Sequence, residues 1–179
     1  MRRILFCTAA LLITAAFSTT VQGQGSTLTA ITAGAKIITP ISLTAGATAL
    51  HFGTMSVTAT AGTCILATDA SRTSTGGVNI SAGPVVATNA LFNVAGEPNA
   101  AYLITFPSGP TITVSNALSN TMTISTLTVQ CSSKTVNGTT GALSTLGADN
   151  FAIGGTLHVN ASQPDGNYTG VFNVNVDYN

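Results

Sequence analysis

The chain has 179 residues, which suggests one domain, and five Lys and Arg balance five Asp and Glu, so that only 6% of it is charged. A composition this poor in charge offers neither a basic patch for nucleic acid nor a polybasic segment for a membrane surface. The surface must instead be covered by Thr, Ser, Asn, Gly and Ala.

The N-terminus has the features of a secretory signal peptide. Met1–Arg3 precedes an apolar run from Ile4 to Phe17, and short side chains follow up to Gly23. The run is too short for a membrane span. We therefore predict a signal peptide at residues 1–23 and export through the periplasm to the cell surface or the medium, with no transmembrane segment in the mature chain.

Residues 24–34 form a segment of small and polar side chains ahead of a domain at residues 35–179. Leu28 and Ile31 are its only bulky residues, so that it is either a disordered lead-in or an extended arm, for which its threonines have the β-propensity. The first predicted strand, Lys36–Leu43, follows. Pro40 cannot donate to a hydrogen-bond ladder, which places this strand at a sheet edge or at a switch between sheets.

The rest of the chain alternates short strand patterns with Gly, Pro and Asn turns. Strands are predicted at Ala49–Val57, Thr63–Thr68, Val78–Ala82, Ala90–Val94, Ala101–Phe106, Thr111–Ser115, Thr121–Cys131 and Phe151–Ala161. Residues 69–77 and 132–146 are predicted to be loops. The strand Thr121–Cys131 needs a bulge near Ser125–Thr126 to keep its apolar side chains on one face. About ten short strands without helical periodicity predict an all-β antiparallel sandwich.

The last strand has the clearest alternation. Between Tyr168 and Asn179, one face carries six residues, of which all but the glycine are apolar or aromatic: Tyr168, Gly170, Phe172, Val174, Val176 and Tyr178. The other face is mostly polar. Such a strand is half-buried, with one face on a core and a strongly specified register. It is an ordinary closing strand on this pattern alone, and it would run to the free carboxylate of Asn179.

Two cysteines remain after removal of the signal peptide. Cys64 and Cys131 in an exported domain predict one disulfide, which would be worth about 4 kcal/mol in the chain-entropy model. Free thiols or a metal site are the alternatives, but neither a CxxC spacing nor a flanking His supports a metal site.

The sequence offers little for catalysis. His51 and His158 are the only histidines, and each is predicted to point away from the apolar neighbours beside it. No nucleophile-elbow sequence is present, and acids are few. We therefore expect a protein that is not an enzyme, without a cofactor or a metal ion.

The order of several short motifs resembles one bacterial family. A Thr/Ala-rich arm is followed by ITPISL, by Leu50-His-Phe-Gly53, by Thr75-Gly-Gly-Val78 and by Tyr102-Leu-Ile-Thr105, and then by Gly155-Thr-Leu157 and Gly166-Asn-Tyr-Thr-Gly170. This order is similar to the DUF4402 domain, which is related in appearance to pilin and spore-coat-U-like subunits. A penultimate Tyr178, with Gly166 fourteenth from the end, resembles the C-terminal assembly motif of pilins.

The resemblance to pilins implies a specific assembly mechanism. Such subunits are immunoglobulin-like sandwiches that lack a strand, and a periplasmic chaperone, then the arm of the next subunit, fills the groove beside the last strand. The residues from Gly166 to Tyr178 would border this groove, and the Asn179 carboxylate would meet cationic residues of the chaperone. The candidate donor residues are Leu28, Ala30 and Ile31, although the arm could also fold back onto its own domain.

The resemblance therefore predicts a structural subunit of a cell-surface filament or coat. Its partners would be copies of itself or related subunits, together with a chaperone and an outer-membrane usher. The alternative is a self-complete secreted sandwich that acts as an adhesin and binds a carbohydrate or a protein through its loops.

Overall fold

The computed structural model describes residue 25 and residues 28–179, and the predicted signal peptide lies outside them. The chain divides into two compact units, Met1–Lys36 and Ile37–Asn179. The described residues of the first unit form neither helix nor strand, and their side chains are exposed. Among all the described residues, no helix is long and apolar enough to cross a membrane.

The second unit is an all-β antiparallel sandwich of ten strands, which confirms the predicted fold class. The strands are β1 (Ser42–Ala45), β2 (Met55–Leu66), β3 (Arg72–Ile80), β4 (Ala90–Ala95), β5 (Ala101–Thr105), β6 (Ile112–Ser115), β7 (Thr121–Cys131), β8 (Thr140–Ala142), β9 (Ala148–Val159) and β10 (Asn175–Tyr178). The predicted strand Lys36–Leu43 begins too early, because β1 starts only at Ser42, after Pro40. As Pro40 predicts, β1 lies at a sheet edge.

The two sheets differ in size. The larger one is built around the 12-residue strand β9, which pairs with β7 along one edge and with both β4 and β2 along the other. β1 lies outside β4, β3 outside β2 and β6 outside β7. The smaller sheet contains only β10, β5 and β8, in that order.

The hydrophobic core forms two clusters that follow one another along β9. We call the one that contains Leu157 and Val159 the first cluster and the one that contains Phe151 and Ile153 the second cluster. The second cluster lies between the two sheets, where Val94, Phe151 and Ile153 of the larger sheet pack with Tyr102 and Ile104 of the smaller one. The first cluster lies towards the end of β9, and its buried strand residues all belong to the larger sheet: Cys64, Leu66, Val78, Ile112, Val114, Met122, Ile124, Leu157 and Val159. The smaller sheet is thus too short to contribute a buried residue to the first cluster.

The predicted bulge in β7 is confirmed. The pairing of β7 with β9 shifts register between Ser125 and Thr128, and Thr126 adopts a positive φ of 49°. The bulge keeps Met122 and Ile124 on the same face as Val129, and all three are buried. A pattern of apolar residues was sufficient here because the bulge is a local feature of one strand.

The predicted loop at residues 69–77 is wrong, because most of it is β3. The turn is confined to the residues around Asp69, whose Oδ1 accepts a hydrogen bond of 2.9 Å from the Ser71 amide. Gly76 and Gly77 are strand residues that allow close approach to β2, since a Cβ at Gly77 would lie 1.9 Å from the Thr60 carbonyl oxygen. The short strand β8 likewise lies within the predicted loop at residues 132–146.

Candidate functional site

An apolar groove lies over the first cluster, at the end of the larger sheet where β9 finishes. It encloses about 800 Å³. Its floor is formed by side chains of β6, β7 and β9: Ile112, Val114, Met122, Ile124, Leu157 and Val159. In place of a second sheet, two flanking segments form the walls. The groove is therefore a cleft into the core where the smaller sheet does not extend over the larger one.

The first wall of the groove is the segment Leu50–Val57, which leads into β2. Arg72 on β3 holds this wall in place, because its Nη1 donates to the carbonyl oxygens of Phe52, at 2.8 Å, and Thr54, at 3.1 Å. Its Nη2 donates to the Ser81 carbonyl oxygen at 3.2 Å. Gly53 has a φ of 72°, and a Cβ there would lie 2.7 Å from the Arg72 Nη1. The wall thus depends on one arginine and on a glycine that makes room for it.

The second wall is the segment Gln163–Phe172. The hydroxyl of Tyr168 ties it together, accepting a hydrogen bond of 2.9 Å from Gln163 Nε2 and donating one of 2.8 Å to the Pro164 carbonyl oxygen. Gly166 turns the chain with a φ of 140°, a conformation that favours glycine. The predicted assembly residues Gly166, Tyr168, Gly170 and Phe172 all line the groove.

The main chain of the second wall is only half paired. Thr169 forms both hydrogen bonds of an antiparallel bridge with Ser115 of β6, at 2.9 and 3.0 Å. Within the described part of the chain, Gly170 and Phe172 have no main-chain hydrogen bond. Because the peptide groups of a strand point alternately to its two sides, the groups of Gly170 face away from β6. The second wall therefore presents an open edge beside an apolar floor.

Both walls and the floor lie within residues 41–178, which match the family described as a domain of unknown function, DUF4402. The chain belongs to the DUF4402 family. No curated protein and no solved structure matches it. The expected family membership is thus confirmed.

The C-terminal part of the DUF4402 domain leaves the groove and closes the second cluster. Val174, Val176 and Tyr178 continue the alternation and pack on that cluster, while the intervening side chains are exposed. Only residues 175–178 pair in a sheet, where their partner is β5, so the strand is shorter than the predicted twelve residues. The predicted division of its side chains between a buried and an exposed face is correct. The amide of Asn179 donates to the Ala101 carbonyl oxygen at 3.1 Å.

The penultimate tyrosine fixes the point where the N-terminal segment joins the DUF4402 domain. The Tyr178 hydroxyl donates to the Thr39 carbonyl oxygen at 2.5 Å and accepts from the Glu97 amide at 2.6 Å. The Thr39 amide donates to Glu97 Oε2 at 3.1 Å. We call this set of three residues the Thr39 clamp. Of the predicted donor residues, Leu28 is 81% and Ile31 is 80% exposed, and Ala30 is exposed as well.

The predicted disulfide between Cys64 and Cys131 is wrong. Both are free and fully buried, Cys64 in the first cluster and Cys131 in the second. Cys64 pairs with Leu157 of β9 from one side, and Cys131 with Phe151 from the other. Six residues of strand separate these positions by about 20 Å, far beyond the reach of about 7 Å between disulfide-bonded Cα atoms.

The chemical character of these thiols follows from their burial. Burial raises the pKa of the Cys64 thiol, an effect that the positive charge of Arg72 only partly opposes. Burial also raises the pKa of the Cys131 thiol. Protonated, inaccessible thiols are unreactive, so both cysteines act as small apolar core residues.

The histidines of the DUF4402 domain are exposed, as predicted, and are used locally. His51 Nδ1 accepts a hydrogen bond of 2.8 Å from the Gly53 amide, and His158 Nε2 lies 2.7 Å from Ser125 Oγ. Over the described residues, no three His, Cys, Asp or Glu side chains lie close enough together to hold a metal ion.

Four of the predicted assembly residues, Gly166, Tyr168, Gly170 and Phe172, lie on the second wall, whereas the sequence reasoning did not include the first wall or its arginine. The signal was available in part, because Arg72 is the only arginine outside the predicted signal peptide. A cation in a chain so poor in charge has a specific partner, but which carbonyl groups it binds depends on the packing of β3 against residues 52–54.

Proposed function

We propose that this DUF4402 domain is a structural subunit of a bacterial cell-surface filament or coat and that it assembles by β-strand addition. The observation that carries the proposal is the groove, where an apolar floor lies beside the open edge at Gly170 and Phe172. An extended peptide entering the groove would form main-chain hydrogen bonds with that edge and bury alternate side chains on the floor.

The added strand would itself supply most of the apolar area that is buried. The six floor side chains are core residues of three adjacent strands and are only 3–9% exposed, so the area lost from water belongs mainly to the side chains that enter the groove. Burial of apolar area stabilises by about 25 cal/mol per Å², so that a strand carrying several aliphatic side chains would be held firmly. An edge that stays open in this state is also a template for unwanted pairing, which supports an escorting chaperone and an usher as further partners.

Hydrogen exchange of the exported full chain tests the proposal. We expect the Gly170 and Phe172 amides to exchange slowly in the assembled material and rapidly in a dilute monomer, because only the added strand pairs them. The Thr169 amide is the internal control, since its bond to Ser115 should slow its exchange in both samples. Rapid exchange at Gly170 and Phe172 in both samples would contradict strand addition and favour the loop-binding adhesin.

A further inference from the structure

The outer face of the larger sheet carries rows of hydroxyl side chains. Residues that pair directly in neighbouring strands project to the same side of a sheet, so that each row crosses several strands. The central row crosses β3, β2, β9, β7 and β6 in that order and consists of Thr75, Thr63, His158, Thr123 and Thr113. The rows on either side of it consist of Thr73, Ile65, Thr156 and Ser125, and of Thr121 and Ser115. We call these three rows the threonine face.

The threonine face lies on the opposite side of the sheet from the groove. In β6, β7 and β9 the residues that alternate with it are the side chains of the groove floor. Successive side chains of a strand point to opposite faces, so that one side of these strands lines the groove and the other side carries the threonine face. A partner on the threonine face therefore leaves the groove accessible.

The threonine face is open and uncharged. Thr75, Thr113 and His158 are exposed, and Ile65 in a flanking row is 41% exposed. None of its positions is occupied by Asp, Glu, Lys or Arg. Such a face does not repel a second copy of itself, and no ion loses its water when the face is covered.

Polar side chains of the threonine face pair with one another. Thr63 Oγ1 lies 2.7 Å from Thr75 Oγ1, and Ser125 Oγ lies 2.7 Å from His158 Nε2. Covering a hydrogen-bonded pair costs less than covering a polar group that is left without a partner. The threonine methyl groups and Ile65 remain to make apolar contacts, so that the face can be buried.

A second copy of the same face is the partner that fits this surface. Neighbouring strands of a sheet are rotated by about 20° relative to one another, so that a face of five strands is twisted rather than flat. Two sheets with the same twist stack closely when their strands are aligned to within about 30°. We infer that two copies of this chain pack side by side through their threonine faces. This contact lies outside the groove and goes beyond the proposed function.

The size of the threonine face suits a weak contact. Five strands spaced by about 4.8 Å and three rows spaced by about 6.6 Å cover about 480 Å². Two copies would together bury about 1,000 Å², which is the lower end of the range for specific interfaces. Two free domains would therefore pair only at high concentration, whereas many such contacts along two assembled chains would add up.

The contact also has a defined symmetry. Because both copies use the same surface, it is two-fold symmetric and closes after one pair has formed. The threonine face thus joins copies laterally in pairs.

Charge exchange in the chain without residues 1–23 tests the inference. Thr75→Lys with Thr113→Lys gives a Lys-face chain, and Thr75→Glu with Thr113→Glu gives a Glu-face chain, because both threonines are exposed at opposite sides of the face. Thr140→Lys with Thr145→Lys is the matched control, since these exposed threonines lie outside the larger sheet. Light scattering at rising protein concentration measures self-association, and urea unfolding of dilute samples reports the fold.

We expect the Lys-face chain and the Glu-face chain each to associate with itself at least 10-fold more weakly than the unaltered chain, because like charges meet in the contact. An equimolar mixture of the two should restore the association, which misfolded chains could not do. The control should associate like the unaltered chain. If the Lys-face chain associated as strongly as the unaltered one, or if the mixture did not restore the association, the inference would be overturned.

Strand addition is measured separately in the same samples. Exchange of the Gly170 amide reports the groove, whose lining residues the substitutions leave unchanged. Rapid exchange at Gly170 in every sample, together with charge-dependent pairing, would contradict the proposed function and support the lateral contact. Slow exchange at Gly170 with an association that does not depend on these charges would support strand addition and overturn the lateral contact.

Discussion

Replacing Gly170 by alanine should loosen the second wall of the groove. A Cβ at this position would lie 2.4 Å from the Thr113 carbonyl oxygen and 3.0 Å from Val114 Cγ1. The carbonyl group belongs to β6 and cannot give way, so that the wall must move out and its two hydrogen bonds between Thr169 and Ser115 must lengthen or break. Because each of these hydrogen bonds contributes about 1 kcal/mol to stability, we expect the free energy of unfolding to fall by about 2 kcal/mol.

The unfolded chain has to be considered as well. A Gly→Ala replacement stabilises by about 0.4–1 kcal/mol through the unfolded state when the native backbone accepts it. Gly138→Ala is the matched control, because no atom lies within 4 Å of its added Cβ and its φ is not positive. We therefore expect Gly170→Ala to be about 2 kcal/mol less stable than Gly138→Ala.

Urea unfolding of the dilute full chain, followed by circular dichroism, measures this difference. With an m-value of about 1–3 kcal/mol per M, 2 kcal/mol corresponds to a midpoint about 1 M lower. Equal midpoints for the two variants would show that the second wall does not pack against β6.

Three further predictions concern the clamp, the first wall and the thiols. Tyr178→Phe should cost about 1–3 kcal/mol of unfolding free energy, because the hydroxyl serves both Thr39 and Glu97; an unchanged urea midpoint would contradict the clamp. Arg72→Met should speed amide exchange at Thr54 while leaving Thr169 unchanged, since two of its three carbonyl partners, Phe52 and Thr54, belong to the first wall and none belongs to the second; an unchanged exchange rate at Thr54 would contradict that role. Because burial raises the pKa of both thiols, the folded chain keeps their protons to a higher pH than the unfolded chain, and their contribution to stability is complete below about pH 8 and is lost as the pH rises further. Neither thiol should react with a disulfide reagent before unfolding, and replacing Cys64 and Cys131 by alanine should flatten the decline of the urea midpoint between pH 8 and pH 10; a reaction in the folded state would contradict their burial.

The parts of the fold that follow from local pattern could be predicted from the sequence. The facing of Tyr168–Tyr178 and the bulge at Thr126 both follow from the two-residue period of a strand, which does not depend on the neighbouring strands. Tyr168 and Phe172 are half-buried although the main chain there belongs to no sheet. Burial of the apolar side chains therefore does not depend on pairing of the main chain.

The features that depend on register could not be predicted. Whether Cys64 and Cys131 can form a disulfide depends on where β2 and β7 pair along β9. Their partners on β9 are six residues apart, and the two cysteines lie on opposite sides of that strand, neither of which follows from the sequence. The glycine-rich stretch before Val78 was interpreted as a loop, whereas its glycines accommodate the close approach of β2. The groove itself depends on how far the smaller sheet extends, which is a property of the whole topology.

The solution mass of the chain without residues 1–23 distinguishes assembly by strand addition from a self-complete domain. Light scattering would compare the full chain with a chain that lacks residues 24–37 and retains the Thr39 clamp. Strand addition predicts concentration-dependent multimers of the full chain and a monomer of equal urea midpoint for the shortened chain. Two monomers, or multimers of the same size from both chains, would contradict assembly by addition of the N-terminal segment to the groove.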